Sequence, residues 1–140
     1  MIENFKIISS FIKDMSSETA DAQTFIFVRD KISKYQLNID INSKAVNNGI
    51  IEVNTILKFY DLPEILKKSH FEITYTSIVK IDEEIKDKKD FERIILCDVQ
   101  NKIYPNLEKT FLNLLHNSGF QEVKLEKKIN FTELYENKSN

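Results

Sequence analysis

Apolar and polar residues alternate through Tyr35-Gln36-Leu37-Asn38-Ile39-Asp40-Ile41, so that Tyr35, Leu37, Ile39 and Ile41 share one face. A two-residue period of this kind marks a half-buried strand. The period returns from Ile51 through Val53, Thr55, Leu57 and Phe59, with Glu52, Asn54 and Lys58 opposite. Between the two runs stands Asn47-Asn48-Gly49, whose residue types tolerate positive φ, and the pair therefore predicts a β-hairpin. Leu62-Pro63 interrupts the pattern, which resumes with Phe71, Ile73, Tyr75, Ser77, Val79 and Ile81 and predicts a strand over residues 69–81. Residues 5–15 are apolar on both parities, at Ile7-Ile8 and Phe11-Ile12. A strand there requires a bulge or burial on both faces.

Beyond Ile81 the character changes. Residues 82–90 are a charged stretch of nearly balanced sign, read as a solvated loop or helix start. Phe91, Ile94, Ile95 and Val99 then recur at helical spacing, and a break and a second helix are expected after them. Pro105 suits the first turn of that helix, Leu107, Phe111, Leu114 and Leu115 fall on one face, and Gly119 supplies a stop. Asn130 and Glu133 have the spacing of a capping box for a last short helix, with Phe131, Leu134 and Tyr135 facing inward. Strands first and helices last define an α+β fold, a four-stranded antiparallel sheet followed by C-terminal helices. The chain contains no internal repeat and only two glycines and two prolines, so residues 1–140 are expected to form a single domain.

Composition narrows the functional classes. The 140 residues carry 20 basic and 22 acidic side chains, a net charge of −2, so no overall field draws the chain to nucleic acid or an anionic membrane. Cys97 is the single cysteine, which excludes an internal disulfide, and no clustered His/Cys spacing points to zinc. No apolar run approaches the roughly 18 residues of a membrane span, and charge interrupts the short apolar runs of Met1-Ile2-Glu3-Asn4-Phe5-Lys6. A soluble, cytoplasmic protein without cofactor or metal is the expectation.

Two patterns about a hundred residues apart carry more information than the rest. Lys13-Asp14-Met15-Ser16-Ser17-Glu18 closes the first apolar strand, and Lys102-Ile103-Tyr104-Pro105-Asn106-Leu107 opens a helix that ends at Gly119-Phe120 and precedes Asn130-Phe131. With Tyr35-Gln36-Leu37-Asn38-Ile39-Asp40 and Phe71-Glu72-Ile73 between them, their order and spacing resemble the SecB family of protein-export chaperones over nearly the whole chain. The resemblance implies an ATP-independent holdase that keeps preproteins unfolded and hands them to the motor ATPase SecA, with no catalysis. It also implies a homotetramer built as a dimer of dimers.

By position, the resemblance assigns Asp14, Glu18 and Glu72 to an acidic surface that docks SecA, with His70 standing where the family's docking face has a leucine. Carboxylates on a flat sheet face steer a basic partner and set register without a pocket. Taken alone, they read as ordinary exposed acids. The resemblance places the client groove between sheet and helices, with Tyr35, Leu37, Ile39, Ile103 and Tyr104 as candidates. Alternating strand faces and helix stripes also read as plain core, a reading favoured for Leu37 and Ile39 and evenly balanced for Tyr35 and Tyr104. Three other functions are weighed. An enzyme would have to use His70, His116 and Cys97, none of which lies in a catalytic motif. A small-ligand-binding α+β module would need a closed pocket. A SecB-like guardian of an antitoxin would keep the groove without needing the three acids.

Overall fold

A computed structural model describes residues 4–125 and 129–139; Met1, Ile2, Glu3 and Asn140 of the termini read above lie outside them. Four strands, β1 (Phe5–Glu18), β2 (Gln36–Asn47), β3 (Ile50–Tyr60) and β4 (His70–Ile81), form one antiparallel sheet in the order β1-β4-β3-β2. The hairpin joining β2 to β3 turns on Asn48 at φ 32° and Gly49 at φ 80°, the left-handed backbone that these two residue types were expected to provide.

β1 is longer than its alternation indicated, and its register against β4 shifts twice, between Ile7 and Ser9 and between Ile12 and Asp14. Each extra residue exchanges the parity that faces the core. The double-parity apolar run is thereby accommodated. Phe5 and Ile7 lie opposite core residues Ile81 and Val79, Ile12 and Met15 lie opposite Tyr75 and Ile73, and Asp14 falls on the other face.

That inner face carries Val53, Leu57, Phe59, Phe71, Ile73 and Val79, all buried against the helices. The helical layer departs from expectation in three places. First, the stripe from Phe91 to Leu115 runs without a break. α2 (Lys88–Arg93) passes through a π-helical turn (Ile94–Asp98) directly into α3 (Val99–Asn117). Second, Pro105 lies inside α3 instead of in its first turn. Pro105 and Asn101 are both exposed, so the helical bond that proline cannot make is lost on the solvent side, while buried Ile94, Ile95, Val99 and Ile103 hold the upstream turns to the sheet. Third, an unanticipated helix, α1 (Ala22–Arg29), sits between β1 and β2, so not every helix follows the strands. It is too short for a strong periodic signal, but Asp21 caps it by accepting from Thr24 N–H at 2.8 Å.

On α3, Leu107, Phe111 and Leu115 are fully buried and Leu114 only partly. α4 (Phe131–Ser139) begins as expected, with Glu133 N–H donating to Asn130 Oδ1 at 3.0 Å. Phe131 is buried, but Leu134 is 52% exposed and does not face inward. A nine-residue helix resting on one side of the core buries one stripe, and Leu134 falls outside it.

Candidate functional site

The second bulge of β1 determines what the outer face of the sheet presents. Beyond it, Asp14, Ser16 and Glu18 stand opposite Thr74, Glu72 and His70. All six side chains therefore share the face away from the helices, which brings Asp14, Glu18, His70 and Glu72 together on two adjacent strands. Glu72 is the diagonal neighbour of both Asp14 and Glu18, a spacing of roughly 7–8 Å. Asp14 and Glu18 are exposed and Glu72 is half-buried.

The same face carries two lysines, Lys58 and Lys13, that the sequence did not assign to it, and they lie beside its acids. Lys58, opposite Glu72 on β3, reaches its carboxylate at 3.4 Å, and His70 Nε2 lies 3.9 Å from the same oxygen. Lys13, the extra residue of the bulge, approaches Glu52 at 3.5 Å. The Asn54 amide donates to Glu52 at 2.9 Å and, with Lys13, holds its carboxyl below the usual glutamate range. Period-2 reading put Glu52 and Lys58 on one side of a strand but could not reveal which acids they would meet, because strand order is a tertiary fact.

The candidate groove residues occupy different neighbourhoods. Tyr35 is buried against the rings of Phe59 and Phe71, and its hydroxyl accepts from Ser69 N–H at 3.0 Å. Leu37 and Ile39 are half-buried on the core-facing side of β2. Ile103 and Tyr104 are buried on α3, with the Tyr104 ring 5.2 Å from Phe131. Farther along β2 an open cleft of about 370 Å³ separates the strand from the helices, lined by Ile41, Asn42, Phe91, Ile95, Leu96 and Tyr135 among others. Phe91 and Ile95 were visible as a helical stripe, but only the packing of α4 beside the π turn makes them a cleft wall.

His70, His116 and Cys97 are not assembled into one site. His70 is on the outer sheet face, His116 Nε2 is 3.0 Å from the Val123 carbonyl oxygen, and Cys97 is buried with its sulfur 3.1 Å from Thr132 Oγ1. Among the described residues no group of His, Cys, Asp and Glu is placed to hold a metal ion, and no helix is long and apolar enough to cross a membrane.

A sheet backed by helices on one face, with charged side chains on the other and an open cleft at one edge, defines a two-layer α+β domain built around surfaces. Its sequence matches the family model of SecB, preprotein translocase subunit SecB, over residues 2–140. It is also 74% identical to the putative protein-export protein SecB of Pelagibacter ubique (strain HTCC1062), across all of both chains. The chain belongs to the SecB family. The fold is similar to that of the Mycobacterium tuberculosis SecB-like chaperone Rv1957, solved in complex with a ChAD peptide from the HigA1 antitoxin Rv1956. The TM-score is 0.58 at 6% identity, covering 91% of this chain and 92% of that one.

Proposed function

We propose that this chain is an ATP-independent holdase that keeps preproteins unfolded in the cytoplasm and delivers them to the SecA motor ATPase. The observation that carries this reading is the convergence of Asp14, Glu18 and Glu72 on one outward face, produced by a bulge in an edge strand. A protein needing only a groove has no use for that arrangement. Extended clients would lie along the β2 side of the molecule, where the sheet ends and the cleft beside Ile41 and Phe91 opens. Leu37 and Ile39 would border the path, and Tyr35, Ile103 and Tyr104 would support its floor from within. The cleft is open and mixes apolar side chains (Ile41, Phe91, Ile95, Leu96) with polar ones (Asn42, Ser43, Glu92, Tyr135), a lining that does not select a single sequence.

The other edge strand favours self-association. Ile8, Phe11, Ile12 and Met15 of β1 are 43–50% exposed, an apolar edge that a second copy would cover on the way to a homotetramer. Several client segments would then meet one receptor at high effective concentration. A second reading, an antitoxin chaperone, draws on the solved complex of the mycobacterial protein. The acidic face and the 74% identical relative named for protein export favour the first. Dilution of a denatured, slowly refolding client with and without the protein, followed by light scattering in the absence of ATP, tests the holdase. Suppressed scattering is expected, and equal scattering would remove it.

A further inference from the structure

One oxygen of Glu72 is shared by two side chains of different character. Lys58 Nζ lies 3.4 Å from Glu72 Oε1, and His70 Nε2 lies 3.9 Å from the same atom. A lysine ordinarily stays charged up to about pH 10, whereas an imidazole changes its charge between about pH 5 and 8. The second contact is therefore an ion pair only when His70 is protonated. His70 also stands directly opposite Glu18 in the β1–β4 pair, so its ring is beside two of the acids assigned above to SecA docking. Its side chain is 48% exposed, open both to solvent protons and to a docked partner.

We infer that His70 is a proton switch for SecA docking: protonation sets a cation among the carboxylates and weakens their hold on a basic partner. The inference rests on the docking reading above and adds its regulation. The groups around His70 decide the sign. β1 contributes Glu18 opposite it, β4 contributes Glu72 on the same face, and Asp14 is the diagonal neighbour of Glu72. The cations are Lys58 of β3, paired with Glu72, and the exposed Lys67 and Lys68 of the loop that leads into β4. Tyr60 of β3 completes the set of titratable neighbours. Carboxylic acids ordinarily titrate near pH ~4, and phenols and ammonium groups near pH ~10. The one charge that such a set gains between about pH 8 and 5 is that of the imidazole, and it is positive. While His70 is neutral, Glu72 Oε1 faces a single cation, Lys58, and Glu18 is free to meet a partner. Once His70 is an imidazolium, that oxygen lies between two cations and Glu18 stands opposite a third charge of the wrong sign for a basic segment. Linkage makes the effect reciprocal, so a basic partner seated on this face should drive the proton off His70.

The test measures SecA affinity of the full chain at low salt, from about pH 8 down to about pH 5.5, for wild type, His70→Leu and His70→Lys. Wild type should lose roughly two- to fivefold in affinity as the pH falls, the contribution commonly made by one exposed charge. His70→Leu should keep the tighter binding and His70→Lys the weaker binding at every pH. The ratio of wild type to His70→Leu at each pH cancels any titration within SecA itself, and its change should shrink as salt is added. All three proteins should melt alike, because the His70 side chain is half exposed. A ratio that does not change with pH would overturn the inference, as would His70→Lys binding as tightly as His70→Leu. Failure of wild type to bind SecA at any pH, or unchanged binding when Asp14, Glu18 and Glu72 are all replaced by Ala, removes the docking reading itself, a result distinct from both.

Discussion

The hydroxyl of Thr55 on β3 donates to Gln100 Oε1 on α3 at 2.9 Å, and neither residue reaches solvent. Gln100 Nε2 in turn donates to the Ile95 carbonyl in the π turn at 3.2 Å. A buried amide linked to the sheet on one side and to the widened helix turn on the other fixes where the helical layer sits. Gln100→Met should strand the Thr55 hydroxyl, at a cost of about 1–3 kcal/mol. Adding Thr55→Val should recover part of that loss. Urea unfolding of the two single variants and the double variant gives the coupling, expected at roughly 0.5–3 kcal/mol. Strict additivity would show that the two residues do not act as a pair.

Tyr104 offers the opposite case. Its hydroxyl is buried without a hydrogen-bond partner among the described residues, while its ring packs on Phe131. Tyr104→Phe should leave stability unchanged or raise it, and Tyr104→Ala should lose roughly 3–5 kcal/mol. Burial, with the nearby Glu108 carboxylate, holds the Tyr104 ionisation above the ordinary tyrosine range. An acid whose ionisation is raised by folding stabilises the protein while it stays neutral. That contribution is complete below the unfolded value of about 10 and is lost as pH rises through the higher folded value. Circular dichroism across alkaline pH should therefore place the unfolding of Tyr104→Phe at higher pH than wild type; coincident curves would count against the assignment.

Gly119 does more than stop a helix. It holds φ at 103°, and a Cβ placed there would come within 2.6 Å of Phe25 Cε1. Phe25 packs on Phe120, with ring centroids 5.0 Å apart, so the α3 terminus and α1 are joined at this point. Gly119→Ala should lose more than about 1 kcal/mol through backbone strain and displacement of Phe25. Thermal melting reads the loss, and a melting temperature equal to wild type would refute it.

Replacing Asp14, Glu18 and Glu72 together by Ala should change stability by about 1 kcal/mol or less, because Asp14 and Glu18 are exposed and the one ion pair lost, Glu72 with Lys58, lies at the solvent-facing side of the sheet. Affinity for SecA should fall several-fold, and the difference should be largest at low salt, where screening is weakest. Lys58→Ala, which takes the lysine away from the Glu72 carboxylate and leaves His70 beside it, should move affinity the other way. Titration calorimetry at two ionic strengths measures both. Identical SecA affinity in the triple variant would reduce the acids to solvated surface.

The sequence by itself determined the strands, the hairpin and the start of the last helix. These rest on short-range rules: a period of two, a turn that needs positive φ at Asn48 and Gly49, and a cap in which Asn130 reaches only three residues ahead. It also contained the SecB pattern, whose pieces keep their order along the chain. Tertiary structure decided the rest. Pro105 is a local signal for a helix start, yet the helix runs through it, because the burial of Ile94, Ile95, Val99 and Ile103 outweighs one lost bond on the exposed side. Leu114 and Leu115 are equivalent in composition and adjacent in sequence, but only Leu115 is fully buried, since a helix turns each successive residue to a new direction. The acidic face depended on both levels. The chain supplied Asp14, Glu18 and Glu72, whereas two bulges and the placement of β1 beside β4 set them on one surface with Lys58 and His70. A bulge shifts parity by a single residue, and which strands become neighbours is settled by how the whole sheet buries its inner face, so neither can be read from the alternation of one strand.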